Sequence, residues 1–144
     1  MAKVQDRVYI AEGDRELYDR LEREWILKGT TRREQFLLAM AVGFRNELQQ
    51  TFTKRDEFFL VKDLRPEDDA ILDAIAISAT SGSVETLCDR AAVFKIAQGF
   101  AHGGIRLLVD EFESAPLGSY DKKFEKDLLE LASTLGSPSH RQTR

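Results

Sequence analysis

The chain has 144 residues, 42% hydrophobic and 32% charged, with a formal net charge of −4 and a sequence pI near 5.3. That length and composition suit one globular domain burying about 68% of its unfolded surface, and they exclude a disordered or collagenous chain. Cys88 is the sole cysteine and the histidines are His102 and His140, so neither an internal disulfide nor a Cys/His zinc site can be assembled from this chain alone.

No apolar signal segment lies near Met1 and no membrane-spanning run occurs, so a cytoplasmic location without a membrane partner is expected. The charge is uneven. Residues 1–55 hold 11 Lys/Arg against 9 Asp/Glu and the remainder 10 against 16, so the N-terminal third is mildly basic and the rest acidic. The global basic footprint of a nucleic-acid-binding protein is missing, which lowers that expectation without removing a single basic face.

Residues 7–11, Arg-Val-Tyr-Ile-Ala, have strand character and form either an edge strand or an extended arm on the core. A helix starting at Gly13 or Asp14 is expected to reach about Lys28, with Leu17, Leu21 and Trp25 recurring every fourth residue and Gly29 closing it. The chain is organised around residues 31–48. Thr31 with Glu34 three residues on is a capping box, and Phe36-Leu37-Leu38-Ala39-Met40-Ala41-Val42-Gly43-Phe44 then runs without one charge. A helix apolar around its whole circumference has to be covered on several sides, by this chain alone or partly by a second subunit.

After Leu48 comes a polar passage, 49–56, and then the apolar Phe58-Phe59-Leu60-Val61. Pro66-Glu67-Asp68-Asp69 is a helix start, because proline tolerates the first helical position and carboxylates match the positive end of the dipole. Ile71, Leu72, Ile75 and Ala76 make the stripe of that helix, which ends near Ser78. A further helix is expected from about Val84 to Ala101, broken by His102-Gly103-Gly104, then another carrying Ile105, Leu108, Val109 and Phe112. Pro116 and Gly118 break the chain again before a last helix over roughly 120–135. The expectation is a mainly α, single compact domain over 1–136, of about six helices around a buried central helix with one short N-terminal strand, and a flexible polar tail over 137–144.

The candidate chemistry is thin. Glu67, Asp68, Asp69 and Asp73 include two carboxylates four apart, which suits a magnesium site, yet acids after an initiating proline are the ordinary dipole-matching pattern. Cys88 sits next to Asp89 and Arg90, whose helical spacing does not face it, and is expected to be half-buried beside Leu87. His102 before two glycines matches oxyanion-hole loops, but no serine elbow accompanies it and a helix break is the expected role. No catalytic residue, metal ligand or cofactor is therefore assigned. The basic residues carry more. Strand, helix, Gly-Thr-Thr turn and second helix match the order of dimeric ribbon-helix-helix DNA-binding proteins, with Arg32 and Arg33 at a helix N-terminus where phosphate is favoured. Arg32, Arg33, Arg45, Lys54 and Arg55 form the candidate nucleic-acid-binding set, with DNA as the corresponding partner.

Residues 31–44, residues 94–108 centred on Gly99-Phe100-Ala101-His102-Gly103-Gly104-Ile105, and the intervening 71–77 together resemble a known family. They are similar to the small helical proteins that accompany bacterial DNA phosphorothioation (Dnd-type) modification and restriction systems. There a Thr-x-x-(acidic)-Phe-x-x-Ala-x-x-x-Gly-(aromatic) helix precedes an aromatic-Ala-(Asn)-Gly-Gly-(aliphatic) segment; here His102 replaces the Asn and Glu34 or Gln35 occupies the acidic region. The resemblance spans roughly residues 10–115. It implies a non-enzymatic accessory subunit of a prokaryotic DNA-modification and anti-phage defence complex, working by protein–protein contact, with no catalytic residues to carry over. The alternative is a DNA-binding regulator or DNA-docking subunit, and self-association stays open in either case.

Overall fold

A computed structural model of the protein describes residues 5–24 and 27–114. Within them the order is strand β1 (Arg7–Ala11), helix α1 (Asp14–Arg23), helix α2 (Arg32–Arg45), strand β2 (Arg55–Leu60), helix α3 (Pro66–Ala79) and helix α4 (Arg90–Ser114). Single 3-10 turns occupy Val61–Asp63 and Val84–Cys88. The architecture is mainly helical with a small antiparallel sheet, as expected, but the described residues hold four α-helices where the sequence suggests five. The expected helix over 120–135, the break at Pro116 and Gly118, the tail over 137–144 and Trp25 lie outside the described residues.

The difference comes from two places. Residues 84–88 form a 3-10 turn, and α4 starts only at Arg90, where Asp89 Oδ1 accepts from the Ala92 amide at 3.2 Å. From there α4 runs unbroken through His102-Gly103-Gly104 to Ser114, 25 residues in all. The two glycines expected to break the helix are its contact surface. A Cβ on Gly104 would overlap the Ala39 carbonyl oxygen and stand 2.7 Å from Gly43 N, and one on Gly43 would overlap the Phe100 carbonyl. A Cβ on Gly103 would likewise overlap the Leu48 carbonyl and lie 2.8 Å from Leu48 Cβ. Each mid-helix glycine costs about 1 kcal/mol relative to alanine. That cost is offset because α2 and α4 meet backbone to backbone, which any side chain at these positions would prevent.

The end of α2 is shaped for the same contact. Its capping box is present: Thr31 Oγ1 accepts from the Glu34 amide at 3.2 Å and Glu34 Oε1 from the Thr31 amide at 2.9 Å. At the other end Leu48 N donates to Gly43 O at 2.8 Å and Glu47 N to Phe44 O at 3.2 Å. This is a Schellman closure, three residues earlier than Leu48, with Glu47 at φ 57° where glycine is usual. It folds Leu48 back onto Gly103.

β1 has the bounds expected of it and pairs antiparallel with β2, a strand not anticipated in the passage 55–60. Polar Arg55, Asp56 and Glu57 hide it, since two of its six residues face water on an alternating pattern. The register slips between Val8 and Tyr9, and Phe58 at this bulge is buried with its ring 4.5 Å from that of Tyr18. The buried face of α1 is Asp14, Tyr18 and Leu21, not the Leu17, Leu21 and Trp25 series; Leu17 is half-buried. The helix stops at Arg23, short of Lys28, and Gly29 at φ 82° completes the turn into α2.

Gly104→Ala is expected to lower stability by about 3 kcal/mol or more, because backbone rather than a flexible side chain occupies the space. Gly99→Ala should cost clearly less, since its new Cβ would meet Gln49 Cγ at 3.2 Å and the Gln50 carbonyl at 3.3 Å. Thermal denaturation of both variants decides this, and equal losses would contradict the close-packed crossing.

Candidate functional site

The arginines opening α2 are held by acids of the same chain. Arg32 Nη2 lies 2.7 Å from Asp19 Oδ1, and its Nη1 reaches Gln35 Oε1 at 2.9 Å and Glu22 Oε1 at 3.4 Å. Gln35 is buried and donates in turn to Glu22 Oε1 at 3.0 Å. Arg33 Nη1 meets Asp68 Oδ2 at 2.8 Å, with side-chain exposures of 13% and 6%. Asp68 also accepts from the Arg65 amide at 2.9 Å, so one carboxylate both starts α3 and fastens it to α2. Two further acids of α3 are paired as well: Asp73 Oδ1 lies 2.6 Å and Asp69 Oδ1 3.7 Å from the Arg90 guanidinium. Among the described residues no three His, Cys, Asp or Glu side chains converge on one point where a metal ion would sit.

The remaining members of the basic set are placed differently. Arg55 begins β2 opposite Ala11, and its guanidinium lies 3.8 Å from the centre of the Tyr9 ring. The Lys54 carbonyl accepts from the Glu12 amide at 2.9 Å, extending the ladder by one bond. Arg45 ends α2, roughly 20 Å along the helix from Arg32. Arg32 and Arg33 share one open cleft with Phe58, Phe59 and Leu60, whereas Arg55 lines another with Phe52, Lys95 and Gln98. These clefts lie toward opposite ends of β2. The five residues are therefore not one surface patch. β1, which would enter a groove in a ribbon-helix-helix protein, is paired within its own chain, and its Val8, Ile10 and Ala11 are buried.

One polar cluster was not legible in the sequence. Asp14, the first residue of α1, is 1% exposed, and its Oδ2 accepts from His102 Nδ1 at 2.6 Å. Arg106 Nη2 stands 3.6 Å from Asp14 Oδ1, and the Phe52 ring meets the His102 ring edge to face at 5.4 Å. Asp14 Oδ1 and the Tyr18 hydroxyl are both buried without a hydrogen-bond partner among the described residues. Burial raises the Asp14 carboxyl above its ordinary 3.8, against the opposing pull of His102 and Arg106. The Tyr18 hydroxyl is pushed well above 10.0, first by burial and then by the Asp14 charge. His102 is thus a partner of a buried acid, not a helix break. A carboxylate on Nδ1 fixes the imidazole's tautomer and orientation. Cys88 is exposed rather than half-buried, at the end of the 3-10 turn.

The signal that could have located the cluster is helical spacing. Lys95, Gln98, His102 and Arg106 recur at intervals of 3, 4 and 4 on one face of α4. That stripe becomes visible only once His102-Gly103-Gly104 is read as helix. No protein-family model, curated protein or solved structure matches the chain.

Arg33→Met should cost about 3 kcal/mol, because it strands the Asp68 carboxylate, and clearly less in an Asp68→Asn background. A loss of equal size in both backgrounds, measured by denaturant titration, would show that the pair does not hold α3 to α2. Because the folded pKa of Asp14 is raised, the folded state binds its proton more tightly than the unfolded state. The resulting stability is fully present below 3.8 and is lost as pH rises through the raised value. The stability of the wild type relative to Asp14→Asn should therefore decline as pH rises from 3.8 through that raised value; a rise would mean that the His102 pair outweighs burial.

Proposed function

We propose that the protein is a non-enzymatic accessory subunit of a prokaryotic DNA-modification and anti-phage defence complex, acting through protein–protein contact from a cytoplasmic location. The supporting observation is the outer side of α2. Leu37 and Ala41 stand one helical turn apart and are not fully enclosed, on a helix whose opposite side is packed against α4 through Ala39 and Gly43. This is the helix that carries the family resemblance. The ion pairs around it point the same way: Arg32, Arg33, Asp68, Asp69 and Asp73 hold helices together and are occupied in doing so. None of the described helices is long and apolar enough to cross a membrane, which fits a subunit of a complex that is not anchored through them.

A DNA-docking subunit is the second reading. Arg55 favours it, because this cation stacks on Tyr9 and has no acid partner among the described residues.

The test is a tagged pull-down from the host after nuclease treatment. The expected result is retention of proteins of one DNA-modification system, lost with Ala41→Glu or Leu37→Glu variants that keep their thermal stability, and kept with Arg55→Gln. Recovery of DNA alone, abolished by nuclease or salt, would reverse the ranking of the two readings.

A further inference from the structure

The second cleft, between the 51–55 segment and the first turns of α4, has a volume of about 290 Å³. It is lined by donors. Arg55 and Lys95 bring two cations, neither in an ion pair among the described residues, and no carboxylate joins them in the lining. Thr51 and Thr53 add two hydroxyls. In a chain of net charge −4 with 25 acids, an acid-free cleft holding two uncommitted cations is an unusual local composition.

Gln98 gives the cleft its fixed element. It is 7% exposed, and its Oε1 accepts from the Tyr9 amide at 2.9 Å and from Gln5 Nε2 at 3.0 Å. The Tyr9 N–H can only donate, so the side-chain oxygen has to face β1, and this settles which end of the amide is which. The Nε2 group is left with two N–H donors and no acceptor within the described residues. Arg55 is pre-set in a similar way. Stacking on Tyr9 holds the guanidinium plane and leaves its N–H edge free to donate.

We propose that this cleft binds the phosphate group of a nucleotide or of a nucleic-acid strand, with Arg55 and Lys95 supplying the charge and the Gln98 Nε2 an oriented hydrogen bond. A phosphate ester matches a donor-only set because it offers several acceptor oxygens and no donor of its own when ionised. A volume near 290 Å³ admits a phosphate with its sugar and leaves further residues of a strand outside. The site stands apart from the subunit role proposed above, which rests on the outer side of α2.

The test uses the full chain and three probes: inorganic phosphate, adenosine monophosphate and a short fluorescein-labelled oligothymidylate. Binding is followed by calorimetry for the small probes and by anisotropy for the strand. Arg55→Gln and Lys95→Gln are each expected to weaken binding about tenfold, and each to reduce the salt slope of the strand by about 0.7. Gln98→Glu keeps the acceptor for Tyr9 and Gln5 while replacing the donors with a carboxylate, so it should abolish binding while the far-UV circular dichroism of the folded chain is retained. Lys62→Gln, on an exposed turn outside the cleft, should change nothing. Tighter binding of the strand than of the monophosphate identifies a nucleic-acid backbone as the source. Binding of the small probes alone identifies a free phosphate ester. No binding of any probe at low salt, indifference to all three cleft variants, or an equal loss with Lys62→Gln overturns the proposal.

Discussion

The structure depends on one close approach, the crossing of α2 and α4 at Gly43, Gly103 and Gly104. Carbonyl oxygens of Ala39, Phe100 and Leu48 occupy the volume where side chains would otherwise stand. Dispersion between closely packed backbones and many buried neighbours compensates for the flexibility that glycine brings to the middle of a helix. The rest is placed by this pair. The Schellman turn at Asn46–Leu48 lands on Gly103, the next segment crosses α4 at Gly99, where Gln50 N donates to the Gly99 carbonyl at 3.1 Å, and β2 then begins beside β1. Both clefts and the Asp14–His102 pair take their geometry from the route of the chain over α4.

Electrostatics divides the molecule into two kinds of charge. At the start of α2 and along α3, guanidinium and carboxylate groups pair between helices, and of these the Arg33–Asp68 pair is the one whose loss leaves a charge with least access to water. Exposed pairs such as Arg7–Glu57 add little by comparison. Along one face of α4 the situation differs. Lys95 and Arg55 have no acid against them among the described residues, while His102 and Arg106 share the buried Asp14. Phe52 links the two regions, lining the cleft and meeting the His102 ring. A cation already neutralised by a carboxylate of its own chain has little attraction left for a ligand. The uncommitted cations of the cleft are the better place to look for one.

Much of the local structure could be read directly from residue order. The Thr31–Glu34 capping box, Pro66 at the start of α3, the left-handed Gly29 and the strand at Arg7–Ala11 all stand where short-range chemistry puts them. The cap, the initiating proline and the left-handed glycine involve partners within a few residues, so the sequence window contains the whole interaction; the strand was visible from its residue types, although its partner β2 lies far along the chain. β2 escaped notice because a half-buried edge strand starting with Arg-Asp-Glu lacks the apolar run that identifies a strand. Tyr18 escaped because Leu17 and Leu21 offered an equally regular but wrong face. The basic set of Arg32, Arg33, Arg45, Lys54 and Arg55 was visible as charge, but that Arg32 and Arg33 are held in ion pairs while Arg55 lines a cleft was not.

By itself, then, the sequence determined a mainly helical chain, the starts of α2 and α3, and an apolar α2 that needs cover on several sides. Tertiary structure alone decided that His102-Gly103-Gly104 is a contact and not an interruption. A glycine pair is a breaker in isolation and a packing surface when another backbone stands against it, and only the distant partners Ala39, Gly43 and Leu48 distinguish the two. The same reason separates Asp14 from the other acids. At a helix start it looks like one more dipole-matching carboxylate, and it becomes a buried partner of His102 because α4 passes over it, 88 residues later in the chain.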